Sequence, residues 1–232
     1  MPFTDKLVLV TGGTGALGLA VVGALLEQGG QCVVPYRDEA DAQRFAHRDN
    51  GRVKLIAAGD LSDEAVVNRL YSGLKLWASI HIAGGFAAGA VEDTDKAALM
   101  KQIDGNLVSC FLCCRAAVKA IKAAGGGGRI VNVAARPALE PRSGAGMSAY
   151  TIAKSGVATL SIALAEEVAK DGILVNAVAP SIMDTPANRK GMPKANFDKW
   201  PKVEEVAATI VFLASPDNAV TRGGVVPVYG RS

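Results

Sequence analysis

Histidine is nearly absent from this chain, with 2 residues in 232. Only His47 and His81 could offer an imidazole, so no metal centre is expected, and a general acid or base must be sought among other side chains. Cysteine is also sparse. Cys32, Cys110, Cys113 and Cys114 do not make a secreted disulfide framework in a chain this large. Cys110 and Cys113 form a C-x-x-C followed directly by Cys114, but they lie inside an apolar helical pattern, which predicts buried or interface packing. No apolar run approaches the roughly 20 residues that span a bilayer, and Met1 to Asp5 lacks the charged segment and apolar core of a signal peptide. A cytoplasmic location is expected. The net charge is only +3. Lys and Arg are interspersed with Asp and Glu, which argues against a nucleic-acid or membrane surface and leaves small molecules as the expected partners.

Apolar residues are plentiful: half of the chain is hydrophobic and a fifth is charged, enough for one substantial core. No repeat, low-complexity linker or composition shift divides it, so residues 1–232 are read as a single domain. Short β-branched runs alternate with longer amphipathic stretches, the pattern of a doubly wound parallel sheet with helices on both faces. About seven strands are expected, near Lys6 to Thr11, Gln31 to Tyr36, Val53 to Ala57, Trp77 to Ala83, Arg129 to Ala134, Ile173 to Ala179 and Val225 to Val228. The longest helical stretches are Asp95 to Ala124 and Ser148 to Lys170. The first ends in a turn at Gly125 to Gly128. Pro180 to Pro201 is long for a connection and reads as a substrate lid.

Lys6 to Val10 runs into Thr11-Gly12-Gly13-Thr14-Gly15-Ala16-Leu17-Gly18 and then into the helical pattern Leu19 to Gln28. Strand, glycine turn and helix occur in the order a dinucleotide site requires. Gly13, Gly15 and Gly18 make G-x-G-x-x-G, where absent side chains permit the turn, the approach of a pyrophosphate and helix-to-strand packing. Gly12 to Gly18, with Thr14, Ala16 and Leu17, are therefore assigned to the cofactor. The end of the second strand meets the adenosine ribose. Arg37 falls at the deciding position, where a guanidinium could pair with a 2′-phosphate, favouring NADP(H) while leaving NAD(H) possible. In the alternative, Arg37 is solvated and Asp38 caps the next helix or meets the ribose hydroxyls. Asp60, followed by Leu61, could accept a hydrogen bond from the adenine amine or only cap the helix that follows.

Tyr150-Thr151-Ile152-Ala153-Lys154 opens a helical stretch, and residues four apart share a helix face. A phenol titrates near pH ~10, and a nearby cation lowers that value, so Tyr150 could donate a proton near neutrality. Alone, Y-x-x-x-K is a weak pattern. Downstream of a dinucleotide turn it carries chemistry.

Thr11 to Gly18, Ala83-Gly84-Gly85 after the fourth strand, Asn106, Tyr150 to Lys154 and Pro180 to Thr185 together resemble the short-chain dehydrogenase/reductase family along essentially the whole chain. The resemblance implies a seven-stranded Rossmann-like domain, a nicotinamide cofactor over the carboxyl ends of the strands, and hydride transfer. It implies that Tyr150 exchanges the proton, that Lys154 holds the nicotinamide ribose and lowers the tyrosine pKa, and that Asn106 positions a water. Ile182 and Thr185, beyond Pro180, would contact the carboxamide.

The family usually places a serine after the fifth strand, yet Val131-Asn132-Val133 is followed by Ala134 and Ala135. Ser143 or Ser148 would have to substitute. Ala16 stands where many members have glycine, and His81-Ile82-Ala83-Gly84 stands for N-N-A-G. These departures, with Gly84-Gly85-Phe86 and Asp184 to Pro193, resemble dihydropteridine reductase, whose conjugated imine substrate has less need of a serine. That enzyme has an acidic residue at the Arg37 position.

The expected activity is hydride transfer to a carbonyl or conjugated imine, with dihydropteridine reduction proper or a non-catalytic dinucleotide-binding regulator as alternatives. The pocket would be built from Phe86 to Val91, Pro137 to Met147 and Pro180 to Pro201. A homodimer or homotetramer is expected through the long helices.

Overall fold

In the computed structural model, which describes all 232 residues, seven strands form one parallel sheet. They are β1 (Leu7–Thr11), β2 (Gln31–Tyr36), β3 (Val53–Ala57), β4 (Ala78–His81), β5 (Gly128–Val133), β6 (Ile173–Pro180) and β7 (Val225–Val228). Their order is β3-β2-β1-β4-β5-β6-β7. The Rossmann-like doubly wound fold expected from the sequence is present. β1 lies between β2 and β4, so the connections leaving it diverge and open a cleft at its carboxyl end.

Because strand side chains alternate, each strand feeds two cores. Val8 and Val10 of β1, Val34 of β2 and Ile80 of β4 join one cluster with helices α1 (Ala16–Glu27) and, near the end of the chain, Val203–Ala214. Leu9, Val33 and Ile130 join the other, on the face covered by the helices Glu64–Tyr71, Ser109–Ala123 and Ser148–Glu167. With the short helices Glu39–Arg44, Lys96–Gln102, Arg136–Leu139 and Pro186–Gly191 counted in chain order, these become α2 to α9. On this second face β4 and β5 also carry polar groups: Ser79, His81 and Asn132 are buried there.

One expected element divides. Asp95 to Ala124 is read from sequence as a single helix, but α4 (Lys96–Gln102) and α5 (Ser109–Ala123) are separated by a π segment, Ile103–Val108. Asp95 caps the first, accepting a hydrogen bond from Ala98 N at 2.8 Å. The wider turn swings Asn106 inward, where it is buried. The long connection after β6 is no single element, as anticipated; it holds α8 (Pro186–Gly191) and a short 3-10 turn at Phe197–Lys199.

That connection is an internally braced knob. Arg189 grips Asp184 with two bonds of 2.5 and 2.7 Å, and its guanidinium lies 4.8 Å over Phe197, which in turn meets Trp200 at 5.0 Å. The last residues of the chain tie into its base. Arg231 N donates to Lys199 O at 2.9 Å, Ser181 Oγ donates to Tyr229 O at 3.0 Å, and Ser232 Oγ donates to Ser181 Oγ at 2.8 Å.

Ile80, on a central strand, is fully buried in the core shared with α1 and α9. Ile80→Ala is expected to cost about 2–5 kcal/mol in urea unfolding. A loss below about 0.5 kcal/mol would show that this core does not hold the sheet.

Candidate active site

The glycine turn is shaped by backbone contacts. At Gly12, φ is +67° and an added Cβ would lie 2.7 Å from Ala83 N; at Gly18 it would collide with Gly12 O. Only missing side chains let α1 start so close to β1 and β4. α1 has no side-chain cap and no acidic residue in its first turn, so its leading N–H groups and dipole are left for an anion. This is the fit expected of a dinucleotide pyrophosphate.

A cavity of about 1050 Å³ extends from this turn. Gly12, Thr14, Gly15, Ala16, Leu17, Gly18, Arg37, Asp60, Leu61, Ala83, Gly84 and Gly85 line it, as assigned from sequence. Gly13 is not among them, because it packs beneath the turn against Val34. Asp38 caps α2, accepting from Ala40 N at 2.9 Å, while Arg37 is exposed at the cavity wall. Asp60 does not cap α3; Asp63 does, accepting from Ala65 N at 2.7 Å. Asp60 instead accepts from Ser62 N and Ser62 Oγ, both at 2.9 Å. Those bonds hold its carboxyl below the usual range, and the nearby Arg37 guanidinium adds to the effect.

Tyr150, Lys154, Pro180, Ile182 and Thr185 are not among the residues that line this cavity. Phe86 joins the two regions: it lines the cavity and sets its ring edge-on to Tyr150, 5.1 Å between centroids at 83°. Gly84 brings the other groups together. A Cβ placed there would be 2.5 Å from Asn106 Oδ1 and 3.5 Å from Lys154 Nζ. Lys154 Nζ lies 6.0 Å from the Tyr150 ring centroid and donates to Val133 O at 2.7 Å.

Asn106 is expected to position a water, but here its amide clamps the backbone. Its Oδ1 accepts from Gly85 N at 3.2 Å, and its Nδ2 donates to Gly85 O and Gln102 O, each at 3.0 Å. Gln102 was missed by sequence reasoning, although its place four residues before Asn106 is a usable signal. Thr185 Oγ1 caps α8 by accepting from Asn188 N at 3.2 Å, and Ile182 is exposed. Gly89 N donates to Gly146 O at 2.8 Å, joining two of the segments expected to form the pocket.

Neither candidate serine for the one missing at Ala135 lines the large cavity. Ser143 donates to Glu140 O at 2.8 Å, and Ser148 lines a separate hollow of about 360 Å³.

The expected lowering of the tyrosine pKa is corrected. Burial pushes Tyr150 up to about 12 and pushes Lys154 down to about 8. Loss of water outweighs the lysine's field across their separation, so Tyr150 stays protonated at neutral pH.

With this geometry described, the kinship of the chain is plain. Residues 6–196 match the short chain dehydrogenase family, and the protein belongs to it. It is 32% identical to galactitol 2-dehydrogenase of Rhizobium johnstonii, covering 95% of this chain and 92% of that one. It is equally similar, at 32%, to cis-4-hydroxycyclohexanecarboxylate dehydrogenase of Sinomonas cyclohexanicum, with 98% and 96% covered. The solved structure of ElxO with NADP bound superposes with a TM-score of 0.86 at 26% identity, covering 97% of both chains.

The buried ammonium has a thermodynamic signature. Lys154 ionises near 10.5 in the unfolded chain and about 8 when folded. Between those values the unfolded chain holds the extra proton, so stability rises with pH across the window and the cost is fully present below it. Lys154→Met should therefore raise stability at pH 7 by up to about 3 kcal/mol, a gain that shrinks toward pH 10. Thermal melts at both pH values check this, and a destabilised variant at pH 7 would refute it.

Proposed function

We propose that this chain transfers hydride between NADP(H) and a carbonyl or conjugated imine carbon, with Tyr150 supplying the proton. The observation that carries the reading is the meeting of Asn106 and Lys154 at Gly84, beside Tyr150 and next to an uncapped helix N-terminus. The dehydrogenase names of the relatives and the NADP held by ElxO support it.

When bound, the nicotinamide supplies or accepts the hydride. α1 and the Gly12 turn hold the pyrophosphate through backbone N–H groups. Lys154 would hold the nicotinamide ribose, and Ile182 and Thr185 the carboxamide. Asn106, spent on Gly85 and Gln102, fixes the Gly84-Gly85 wall on which the other groups converge. Tyr150 carries its proton throughout the neutral range, which suits it as a donor in the reductive direction.

The preference for NADP(H) rests on Arg37, exposed at the cavity wall while Asp38 is occupied as a helix cap. NADPH is expected to bind at least about tenfold more tightly than NADH, some 1.4 kcal/mol, and Arg37→Asp should erase that difference in a fluorescence or calorimetric titration. Equal or tighter NADH binding by the wild type would overturn the preference. Tyr150→Phe should lower turnover on a working substrate by about 10² to 10⁴. Unchanged turnover would remove Tyr150 as the acid.

A second reading, reduction of a quinonoid dihydropterin, is favoured by Ala135 in place of the serine and by the aromatic wall that Phe86 sets on Tyr150. The relatives named above oxidise hydroxyl compounds by name, so a direct assay with the dihydropterin decides between substrate classes.

We infer assembly as a homodimer or homotetramer in the cytoplasm. Phe111 on α5 and Ile152 and Ile162 on α7 are about half exposed, at 52%, 55% and 49%. No helix is long and apolar enough to cross a membrane. Light scattering at micromolar concentration should give a mass at least twice that of the chain, and a monomer would refute the assembly.

A further inference from the structure

The polar groups under the active site have no role in the chemistry proposed above. Tyr71 Oη and Ser79 Oγ are 2.9 Å apart, Ser79 Oγ is 2.9 Å from His81 Nε2, and His81 Nδ1 is 2.7 Å from Asn132 Oδ1. Asn132 Nδ2 donates to Ser161 Oγ at 2.9 Å, and Ser161 donates onward to Val157 O at 2.7 Å. Facing this row from α5 are the thiols of Cys110 and Cys114, one helical turn apart and both buried.

We propose that His81, Cys110 and Cys114 form a binding site for a single thiophilic d10 cation, with zinc(II) as the reference ion. The ligand atoms of the three residues lie within 4.8 Å of one another. Zinc bonds of about 2.3 Å to sulfur and 2.0–2.1 Å to nitrogen require a sulfur-to-nitrogen edge of about 3.5 Å in a tetrahedron. Cys114 Sγ and His81 Nδ1 are already 3.5 Å apart. Asn132 Oδ1, 3.4 Å from Cys114 Sγ and 2.7 Å from His81 Nδ1, supplies a fourth donor once it moves back from the imidazole by about half an ångström.

Binding releases the two thiol protons, and two thiolates neutralise the dication, so no net charge is buried. The His81 proton moves from Nδ1 to Nε2, where Ser79 Oγ can accept it. Ser79 can then donate to Tyr71. A metal-bound imidazole is ordinarily oriented by such an acceptor on its other nitrogen, and here the acceptor is in place. Of the thiols, Cys110 is held below its usual range, chiefly by the hydrogen bond from Cys114, while burial pushes Cys114 up. The site is closed to solvent, so the ion is loaded as the chain folds.

The test is metal content after expression in medium supplemented with zinc(II), or with cobalt(II) as a spectroscopic probe, and purification without chelator. The expected result is about one ion per chain and, for cobalt, a near-ultraviolet thiolate charge-transfer band. Both should be lost in Cys114→Ser and in His81→Asn and kept in Cys32→Ser. His81→Asn keeps a hydrogen-bonding side chain in the polar row with Ser79 and Asn132, and a cooperative thermal melt reports whether it has folded. Less than about a tenth of an ion per chain in the wild type, or equal content in the folded His81→Asn variant, overturns the proposal.

Discussion

The site depends on the join between the ends of two strands. Ile82 N donates to Thr11 O and Ala83 N to Thr11 Oγ1, each at 3.2 Å, so the ends of β1 and β4 are stitched together just where their connections part. Gly12 sits against Ala83 with no space for a side chain. The glycine turn and the wall that carries Gly84 are therefore held together as one unit. Asn106 extends it by clamping Gly85 from the π segment, and Lys154 reaches the same wall from α7 while bonded to β5. Parts of the fold far apart in the chain are thus held in register by polar contacts at a single edge of the sheet.

That arrangement places an ammonium where water is scarce. The cost of its burial is the counterpart of its usefulness: a partly desolvated cation interacts strongly with any oxygen brought to it. Tyr150 shows the same burial acting with the opposite consequence, because the neutral phenol is favoured. The pair is thus poised with one charged group and one proton carrier, rather than with a phenolate and an ammonium. A ligand that supplies hydroxyls near Lys154 would relieve the cost the fold bears there.

The sheet was legible in the sequence because each strand is a short β-branched run closed by a turn, and the first turn because its glycines occur between a strand and a helix. Tyr150 and Lys154 were legible for the same reason, as a helical spacing in a known context. The break between α4 and α5 was not. A π segment adds a residue to one turn without disturbing apolar periodicity, so Asp104-Gly105-Asn106 reads as ordinary helix. The sign of the Tyr150 shift was hidden too, because it depends on how much water the fold removes. Asp60 and Asp63 are equally good caps on paper, and only the backbone path decides between them. The meeting of His81 with Cys114 joins a strand to a helix 33 residues away, a pairing that no local pattern contains.

The tie between the end of the chain and the knob after β6 has a practical side. Ser232 bonds to Ser181, the immediate neighbour of Ile182, and Arg231 bonds to Lys199. Anything fused after Ser232 would begin at the base of that knob. The first residues, by contrast, lead into the amino end of β1, on the opposite edge of the sheet. An affinity tag placed at the front of the chain leaves the carboxyl edge of the sheet untouched, whereas one placed at the back adjoins it.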